Sequence, residues 1–374
     1  MDYAAVMREL EKYPPRMTAL ERQAAYAKGE EVDHIPFKLI SSDTAANLYG
    51  YTYGECRRDV RAQRDVMEKL AEEFGSGAVG GGLGLKCVGE ALGSKLRYPE
   101  NGLEYIEEHL ARDYAALDSL EVPDPRENEF LRAKLERMRY LKNAFPKFGV
   151  GTTVAGPLTT AASLRSPDLI LRDMRRRPEE LHRLLAFCVD TSLAWMDAVV
   201  QEFGPLGCNI ADPVTSVSVV SKQQFEEFTM PHLRDLVEGI KARTGFMPSL
   251  HICGKTKPIW EHLVTLGFLS FSVDNCEDLA EVKAKVGDRM SISGNVPPVD
   301  VLRNGTIDEV IDSVRICLQK ASDSPMGYML AAGCQVPLGT PRENLYAYIY
   351  AARKYGRGAR RGKPCKGLED ASAL

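Results

Sequence analysis

The sequence predicts an α/β protein built as a single (β/α)8 TIM-type barrel with an N-terminal helical extension. Short apolar runs alternate with longer amphipathic stretches along almost the whole chain, as in parallel α/β proteins. The four strand-like runs of the last third are each followed at once by polar, Gly or Cys residues, as is typical of barrels whose functional loops follow the strands. No internal repeat or convincing linker interrupts the 374 residues. We therefore expect one domain over residues 1–374.

The first third of the chain is mostly helical by its pattern. Residues 1–30 form a helical segment that ends at Gly29, since glycine is a common helix stop. A strand is expected over 34–40. The apolar spacing of Val60–Phe74 predicts an amphipathic helix. The stretch 75–93 is rich in glycine and has no clear strand before it.

The rest of the chain alternates regularly between the two kinds of element. The tail, 356–374, is basic, then glycine-rich, then small and polar, and we expect it to be flexible. The predicted strands are 148–154, 207–211, 249–252, 269–273, 290–293 and 328–332, and the predicted helices are 178–203, 223–244, 257–266, 279–285 and 307–320.

Composition excludes several classes of function. The apolar fraction of 44% and the charged fraction of 27% are ordinary for a globular protein. The net charge is −4 and no basic stripe occurs, so nucleic acid is not an expected partner. We see no run of about 18 apolar residues, which a membrane-spanning helix needs. The N-terminus lacks the apolar centre of a signal peptide, which predicts a cytoplasmic protein. The nine scattered cysteines are expected to be free thiols or metal ligands.

A candidate metal site combines His251, Cys253 and Cys334. Residues two apart on a strand point to the same side, so His251 and Cys253 would face together while Ile252 packs away from them. Cys334 follows the last predicted strand, and strand ends converge on one rim of a barrel. One imidazole and two thiolates favour zinc, and three protein ligands leave a position for substrate. Spacing alone leaves ordinary buried packing as the alternative.

Three more polar residues follow predicted strands. Asp212 ends a strand before a proline, and it is either a functional group or a helix cap or Asx turn. As a functional group it would support a ligand, donate a proton, or bind the metal. Asp274 and Asn295 follow two later strands, where contact with substrate or with His251 competes with loop capping. We take Asp212, Asp274 and Asn295 as catalytic candidates.

Several short motifs give the sequence a family resemblance. Over nearly the whole chain it resembles the uroporphyrinogen decarboxylase superfamily, and within it the zinc-dependent, corrinoid-linked methyltransferases. The residues that carry the resemblance are 21–25 (ERQAA), 33–36 (DHIP), 156–160 (GPLTT), 209–213 (NIADP) with Phe225, Gly294 with Asn295, 333–337 (GCQVP) and 340–344 (TPREN).

The resemblance assigns the branch of the superfamily. His-X-Cys with a distant Cys marks the methyltransferases, and His251, Cys253 and Cys334 match that pattern. The decarboxylases carry an arginine-rich N-terminal signature and a histidine where Cys334 stands, and this sequence has neither. Porphyrinogen decarboxylation is therefore the less favoured function, because a substrate with many carboxylates requires several arginine partners.

The resemblance implies a zinc ion, a small methylated substrate and a corrinoid-binding protein that docks over the barrel mouth. Some relatives move methyl from a donor such as a methyl ether to cob(I)alamin, with zinc as the Lewis acid on the ether oxygen. Others move methyl from methylcobalamin to a zinc-bound thiol such as coenzyme M. Residues 74–93 and 156–165 look more like the O-demethylating members, so we expect demethylation of an aryl methyl ether.

The glycine-rich stretch has two functional interpretations. It is not a phosphate loop, because Cys87 stands after Lys86 where Ser or Thr should be. Gly81, Gly82 and Gly84 would instead let the planar corrin approach the backbone, or the stretch would move as a lid. A further alternative is a non-catalytic barrel with a structural zinc, closed by a fourth ligand such as Cys208, Asp212 or Cys276. The methyl donor, the direction of transfer, the fourth ligand and the oligomeric state are left open by the sequence.

Overall fold

The strands alternate with helices as the sequence predicts. The computed structural model describes residues 1–75 and 77–372. Seven strands form a parallel sheet in the order β1-β4-β5-β6-β7-β8-β9, and β2 and β3 form a separate antiparallel pair. The predicted fold class, a barrel-type α/β protein, is confirmed. The strands are β1 (Ala78–Gly82), β2 (Lys95–Arg97), β3 (Tyr105–Glu108), β4 (Gly149–Ala155), β5 (Gly207–Ala211), β6 (Ser249–Ile252), β7 (Ser270–Val273), β8 (Ser291–Val296) and β9 (Tyr328–Ala332).

Helices connect the strands and form the N-terminal extension. They are α1 (Tyr3–Leu10), α2 (Ala19–Ala27), α3 (Ser42–Ala45), α4 (Tyr53–Arg58), α5 (Val60–Phe74), α6 (Cys87–Leu92), α7 (Ala115–Asp118), α8 (Glu129–Ala144), α9 (Pro157–Leu164), α10 (Pro167–Arg176), α11 (Pro178–Phe203), α12 (Lys222–Gln224), α13 (Met230–Thr244), α14 (Trp260–Leu266), α15 (Leu279–Val286), α16 (Ile307–Ala321), α17 (Arg342–Tyr355) and α18 (Lys366–Ser372). Short 3-10 turns occupy Ala46–Tyr49, Pro213–Thr215 and Lys257–Ile259, and π-helical turns occupy Phe225–Thr229 and Pro298–Arg303.

The chain divides into two compact units, residues 77–269 and residues 1–76 with 270–374. The single-domain organisation over 1–374 stays a prediction. In the unit 77–269, β1, β4, β5 and β6 pair in parallel. The long helix α11 packs on β4, α9 and α13, and the indole of Trp195 donates to the hydroxyl oxygen of Thr152 at 3.0 Å. Buried side chains of α11 therefore form much of this unit's core.

Helix α11 is the longest helix among the described residues, and it is rich in apolar side chains. Its 26 residues are long and apolar enough to cross a membrane by length and composition alone. In the structure 56% of its most apolar stretch is buried against the protein, and core helices of soluble proteins pass the same test. Trp195, Met196 and Val199 on this helix are fully buried. Its apolar character is thus accounted for by packing within the unit.

In the other unit β7, β8 and β9 pair in parallel, and the predicted strand 34–40 lies beside β9. That segment makes only one parallel bridge, between Phe37 and Leu330. Its other backbone groups bond elsewhere: the Ile35 amide donates to the Gly356 carbonyl at 2.8 Å, and the Tyr348 hydroxyl donates to the Lys38 carbonyl at 3.1 Å. The prediction of a full strand over 34–40 is therefore wrong, because bonds to α17 and the residue after it replace a ladder.

The C-terminal tail also differs from the expectation. Ala359 and Cys365 are fully buried, and the Val32 amide donates to the Ala359 carbonyl at 2.9 Å. Helix α18 follows over Lys366–Ser372. The flexible tail predicted for 356–374 is contradicted over its described part, 356–372. Two apolar anchors and backbone bonds to the segment near Val32 hold it in place.

The glycine-rich stretch contains a strand that the sequence did not reveal, because glycine is depleted in strands. Gly81 and Gly82 belong to β1 and pair with Thr152 and Thr153 of β4. A Cβ on Gly81 would lie 2.3 Å from the Met138 side chain, so the glycine lets α8 approach the sheet. Gly82 has φ 153°, and a Cβ there would lie 2.1 Å from the Thr153 carbonyl oxygen. Close packing thus requires both glycines.

We expect Gly82→Ala to lower the free energy of unfolding by about 1–3 kcal/mol, because the new methyl group collides with the backbone of β4. Gly80→Ala is the matched control on the same strand: nothing lies within 4 Å of the position that its methyl group would take, and its effect should stay within about 1 kcal/mol. Urea unfolding of both variants measures the difference. Equal midpoints for the two variants would contradict the packing requirement.

Candidate metal centre

Strand β6 brings His251 and Cys253 together. Leu250 and Ile252 are fully buried, whereas His251 and Cys253 are half-buried, as alternation along a strand requires. The His251 Nε2 and Cys253 Sγ atoms are 3.2 Å apart. The predicted common orientation of these two side chains is confirmed. The backbone geometry of the strand thus fixes the relative positions of two of the three candidate ligands.

The chain turns away directly after Cys253. Gly254 has φ 78°, and a Cβ there would lie 2.8 Å from the Ser216 hydroxyl. That hydroxyl bonds the Lys255 carbonyl at 3.1 Å, and the Val217 amide bonds the same carbonyl at 3.0 Å. The loop after β5 therefore holds the end of β6. Ser216 was not among the residues predicted from the sequence, and Gly254 beside a ligand pair was the signal for a tightly packed turn.

Cys334 lies two residues after β9, in a loop fixed by its neighbour Gly333. The Gly333 amide donates to the Val296 carbonyl at 2.9 Å. A Cβ on Gly333 would lie 2.4 Å from the backbone nitrogen of Asn275, so only glycine lets the loop after β7 pack there. Cys334 is half-buried. Its thiol is therefore presented by a closely packed pair of loops.

The ligand atoms of His251, Cys253 and Cys334 all lie within 4.8 Å of one another. Zinc bonds of about 2.0–2.3 Å place tetrahedral ligand atoms roughly 3 to 4 Å apart, so these residues fit the ion with small adjustments. Within residues 1–75 and 77–372, no fourth His, Cys, Asp or Glu joins this group. The donor set of one imidazole and two thiols suits zinc rather than magnesium or calcium.

Asp212 is fully buried one residue beyond β5. Its Oδ1 accepts from the Thr159 amide at 3.0 Å and from the Thr159 hydroxyl at 2.6 Å. These contacts cap α9, whose N-cap Gly156 has no side chain, and a Cβ on Gly156 would lie 2.2 Å from the Asp212 carboxyl. Burial raises the pKa of Asp212 to about 6. The Asp212 amide also donates to the His251 carbonyl at 2.9 Å.

These contacts correspond to the capping interpretation of Asp212, and a direct catalytic role stays a prediction. Thr159, which was not among the residues predicted from the sequence, is the partner that makes the cap. The signal for it was a helix that begins with Gly and Pro, because such a start needs a cap from elsewhere. The Oδ2 atom of Asp212 has no hydrogen-bond partner among the described residues.

Asn295 and Asp274 shape the loop that packs on Gly333. The Asn295 side-chain amide donates to the carbonyls of Asp274 and Glu277 at 3.1 and 2.7 Å, and Asn295 is only 8% exposed. The Asp274 carboxylate accepts from the Cys276 amide at 2.9 Å, as in an Asx turn. Their described contacts are thus structural, and their predicted roles in catalysis stay predictions. Gly81 and Gly82 likewise have packing roles, whereas Gly84 is exposed, and contact of this stretch with a corrin stays a prediction.

We expect Cys334→Ala and Cys253→Ala to abolish stoichiometric zinc binding, because two ligands hold the ion far less tightly than three. Protein purified without chelator should contain about one zinc per chain, by elemental analysis. Cys276→Ala is the matched control, since Cys276 is an exposed thiol on a neighbouring loop, and it should keep its zinc. Full zinc content in Cys334→Ala would refute this ligand set.

Comparison with known proteins identifies the family. The sequence profile of the uroporphyrinogen decarboxylase (URO-D) family matches residues 18–355, and the chain belongs to this family. Its relatives include the methylcobamide:CoM methyltransferase MtaA of Methanosarcina barkeri, 27% identical over 90% of this chain and 98% of that protein. The methylated-thiol–coenzyme M methyltransferase of Methanosarcina mazei is 25% identical over 90% of each chain. The predicted family and the predicted enzyme class, methyltransferase, are confirmed.

A solved structure shares the fold. A methyltransferase from Methanosarcina mazei superposes with a TM-score of 0.77, covering 91% of this chain and 99% of that chain at 23% sequence identity. At that identity the similarity shows the fold alone. It extends over almost all of the described residues.

Proposed function

We propose that this protein is a zinc-dependent methyltransferase that moves a methyl group from a small methylated donor to the cob(I)alamin of a corrinoid-binding protein. The observation that carries the proposal is the group of His251, Cys253 and Cys334, whose ligand atoms lie within 4.8 Å of one another. Three protein ligands are the pattern of a catalytic zinc, whereas structural zinc sites use four. We further propose an aryl methyl ether as the donor.

The residues around the candidate metal centre hold the ligand side chains in position. When bound, zinc supplies Lewis acidity to a donor oxygen or sulfur at the position that the protein ligands leave free. His251 lies in β6 and Cys253 follows its last residue directly, so the backbone at the end of the strand sets their spacing. Of the roles predicted for Asp212, its contacts support positioning: it joins the start of α9 to the carbonyl of His251. Its carboxyl group is fully buried.

The corrinoid partner and the cellular location are part of the same proposal. The relative from Methanosarcina barkeri is named for methylcobamide, a corrinoid, and cob(I)alamin is a large planar group that needs an accessible rim. Gly84 is exposed and has room around it for such a contact. No disulfide joins any of the nine cysteines, all of which are described residues, in keeping with a reducing cytoplasm.

A second candidate is methyl transfer from methylcobalamin to a thiol. The observation that favours it is that both relatives described above are named for coenzyme M, a thiol. The same three ligands serve this direction, because zinc also stabilises a thiolate nucleophile. Decarboxylation of a porphyrinogen is less favoured, since Cys334 and the absence of the arginine signature separate this chain from that branch.

The cobalamin spectrum distinguishes the two directions. Incubation with cob(I)alamin and a panel of aryl methyl ethers is expected to convert cob(I)alamin to methylcob(III)alamin. Incubation with methylcobalamin and thiols tests the second candidate, which would convert methylcob(III)alamin to cob(I)alamin. Cys334→Ala should lose the reaction by at least about a hundredfold, because the zinc that activates the donor is no longer held. Cys276→Ala should keep the wild-type rate.

A zinc-loaded protein that changes neither spectrum, with amine and thioether donors also in the panel, would refute methyl transfer. Reaction in the thiol direction alone would refute the O-demethylation proposal and support the second candidate.

A further inference from the structure

Lys38 lies on the segment beside β9, and its side chain points away from the helix α17. Ile35 packs against Gly356 at the end of α17: a Cβ on Gly356 would lie 2.6 Å from the Ile35 side chain. Phe37 packs edge-on against Tyr348 of the same helix, with ring centroids 5.9 Å apart. Successive side chains along an extended segment alternate between its two faces. Since Ile35 and Phe37 face α17, alternation places Lys38 on the side opposite to that helix.

The ammonium of Lys38 has no compensating charge. Among the residues that the structure describes, no carboxylate forms an ion pair with it and no acceptor forms a hydrogen bond with it. The side chain is exposed to solvent, yet burial lowers its pKa, with no charged neighbour contributing. A partly desolvated ammonium without a carboxylate partner attracts an anion more strongly than a fully hydrated ammonium does.

The backbone register relates Lys38 to Cys334 within the same unit. The parallel bridge joins Phe37 to Leu330, and the Lys38 amide donates to the Leu330 carbonyl at 2.9 Å. Continued in parallel, Lys38 lies beside Ala331, three residues before Cys334 in the sequence. Ala331 lies in β9, and Cys334 lies in the loop two residues beyond the end of that strand. Lys38 therefore lies beside the strand end that leads into the loop carrying Cys334.

We propose that Lys38 is a specificity-determining residue that binds an anionic group of the substrate, either a carboxylate or a sulfonate. The methyl-bearing or thiol end of the same substrate would be held at the group of His251, Cys253 and Cys334. This inference rests on the proposed function and names the class of substrate: a small anion. A carboxylate would belong to a methoxylated aromatic acid, and a sulfonate would belong to a thiol acceptor. A carboxylate and a sulfonate both present negatively charged oxygens, so the single ammonium of Lys38 can bind either group.

Isothermal titration calorimetry on the full-length, zinc-loaded protein tests the proposal with two matched pairs of probes. One pair is 3-methoxybenzoate and its neutral analogue 3-methoxybenzamide. The other pair is 2-mercaptoethanesulfonate and 2-mercaptoethanol. We expect the wild-type protein to prefer the anionic member of at least one pair. Lys38→Met should weaken binding of that anion at least about tenfold and leave the neutral probe unaffected.

Three further variants complete the design. Lys38→Arg keeps the charge and should keep most of the preference. Lys28→Met, at an exposed lysine after α2, removes a charge elsewhere and should bind as the wild type does. If Lys38→Met fails to fold, Lys38→Gln, which keeps a polar end, repeats the measurement. The pair that shows the Lys38-dependent preference identifies the source of the anion.

The proposal is overturned if the wild-type protein prefers neither anion, or if removal of the Lys38 charge leaves the preference intact. Its failure is distinguishable from failure of the proposed function, because zinc content and the cobalamin reaction are measured separately. Anion preference that depends on Lys38 without methyl transfer would refute the proposed function alone. Methyl transfer without that dependence would refute this inference alone.

Discussion

The candidate metal centre depends first on the alternation of side chains along β6. Because residues two apart on a strand share a side, His251 and Cys253 lie with Nε2 and Sγ 3.2 Å apart without any strained conformation. The buried Leu250 and Ile252 fix the strand from its other face. A pair of ligands is thus held by the same apolar packing that stabilises the sheet, so little conformational entropy remains to be lost when a metal binds.

Close backbone approach is the second constraint on the site. Gly333 lets the loop after β7 pack against the residue before Cys334, and Gly156 makes room for the Asp212 carboxyl. At both positions a methyl group would lie within 2.4 Å of a neighbouring atom. Small residues therefore do as much to place the ligands as the polar residues do. Packing of this kind stiffens loops that would otherwise sample many conformations.

The polar residues nearest the ligands in the chain serve mainly to hold these loops. Asp212 caps α9 across the unit, and Asn295 ties together two carbonyls of the loop after β7. Both residues are buried, where an unpaired polar group costs more than in water, so each contact strongly favours one arrangement. The groups that remain accessible are the half-buried candidate ligands and the ammonium of Lys38, which is proposed to bind substrate rather than to react with it.

The sequence by itself determined the α/β class, Val60–Phe74, α11, β5, β6 and β9 within their observed bounds, and the three metal-ligating candidates. The elements and the His251–Cys253 pair follow from local periodicity and residue chemistry, which need no knowledge of distant contacts. Cys334 was singled out among the other cysteines by the family resemblance. Only the tertiary structure decided that the glycines of β1 form a strand, that residues 34–40 make a single parallel bridge, and that the tail packs against the segment near Val32. It also decided that Asp212 accepts hydrogen bonds at the start of α9 and that, among the described residues, Lys38 has no ion-pair partner. Each of these depends on which distant atoms come within a few ångströms, and a linear pattern does not encode that.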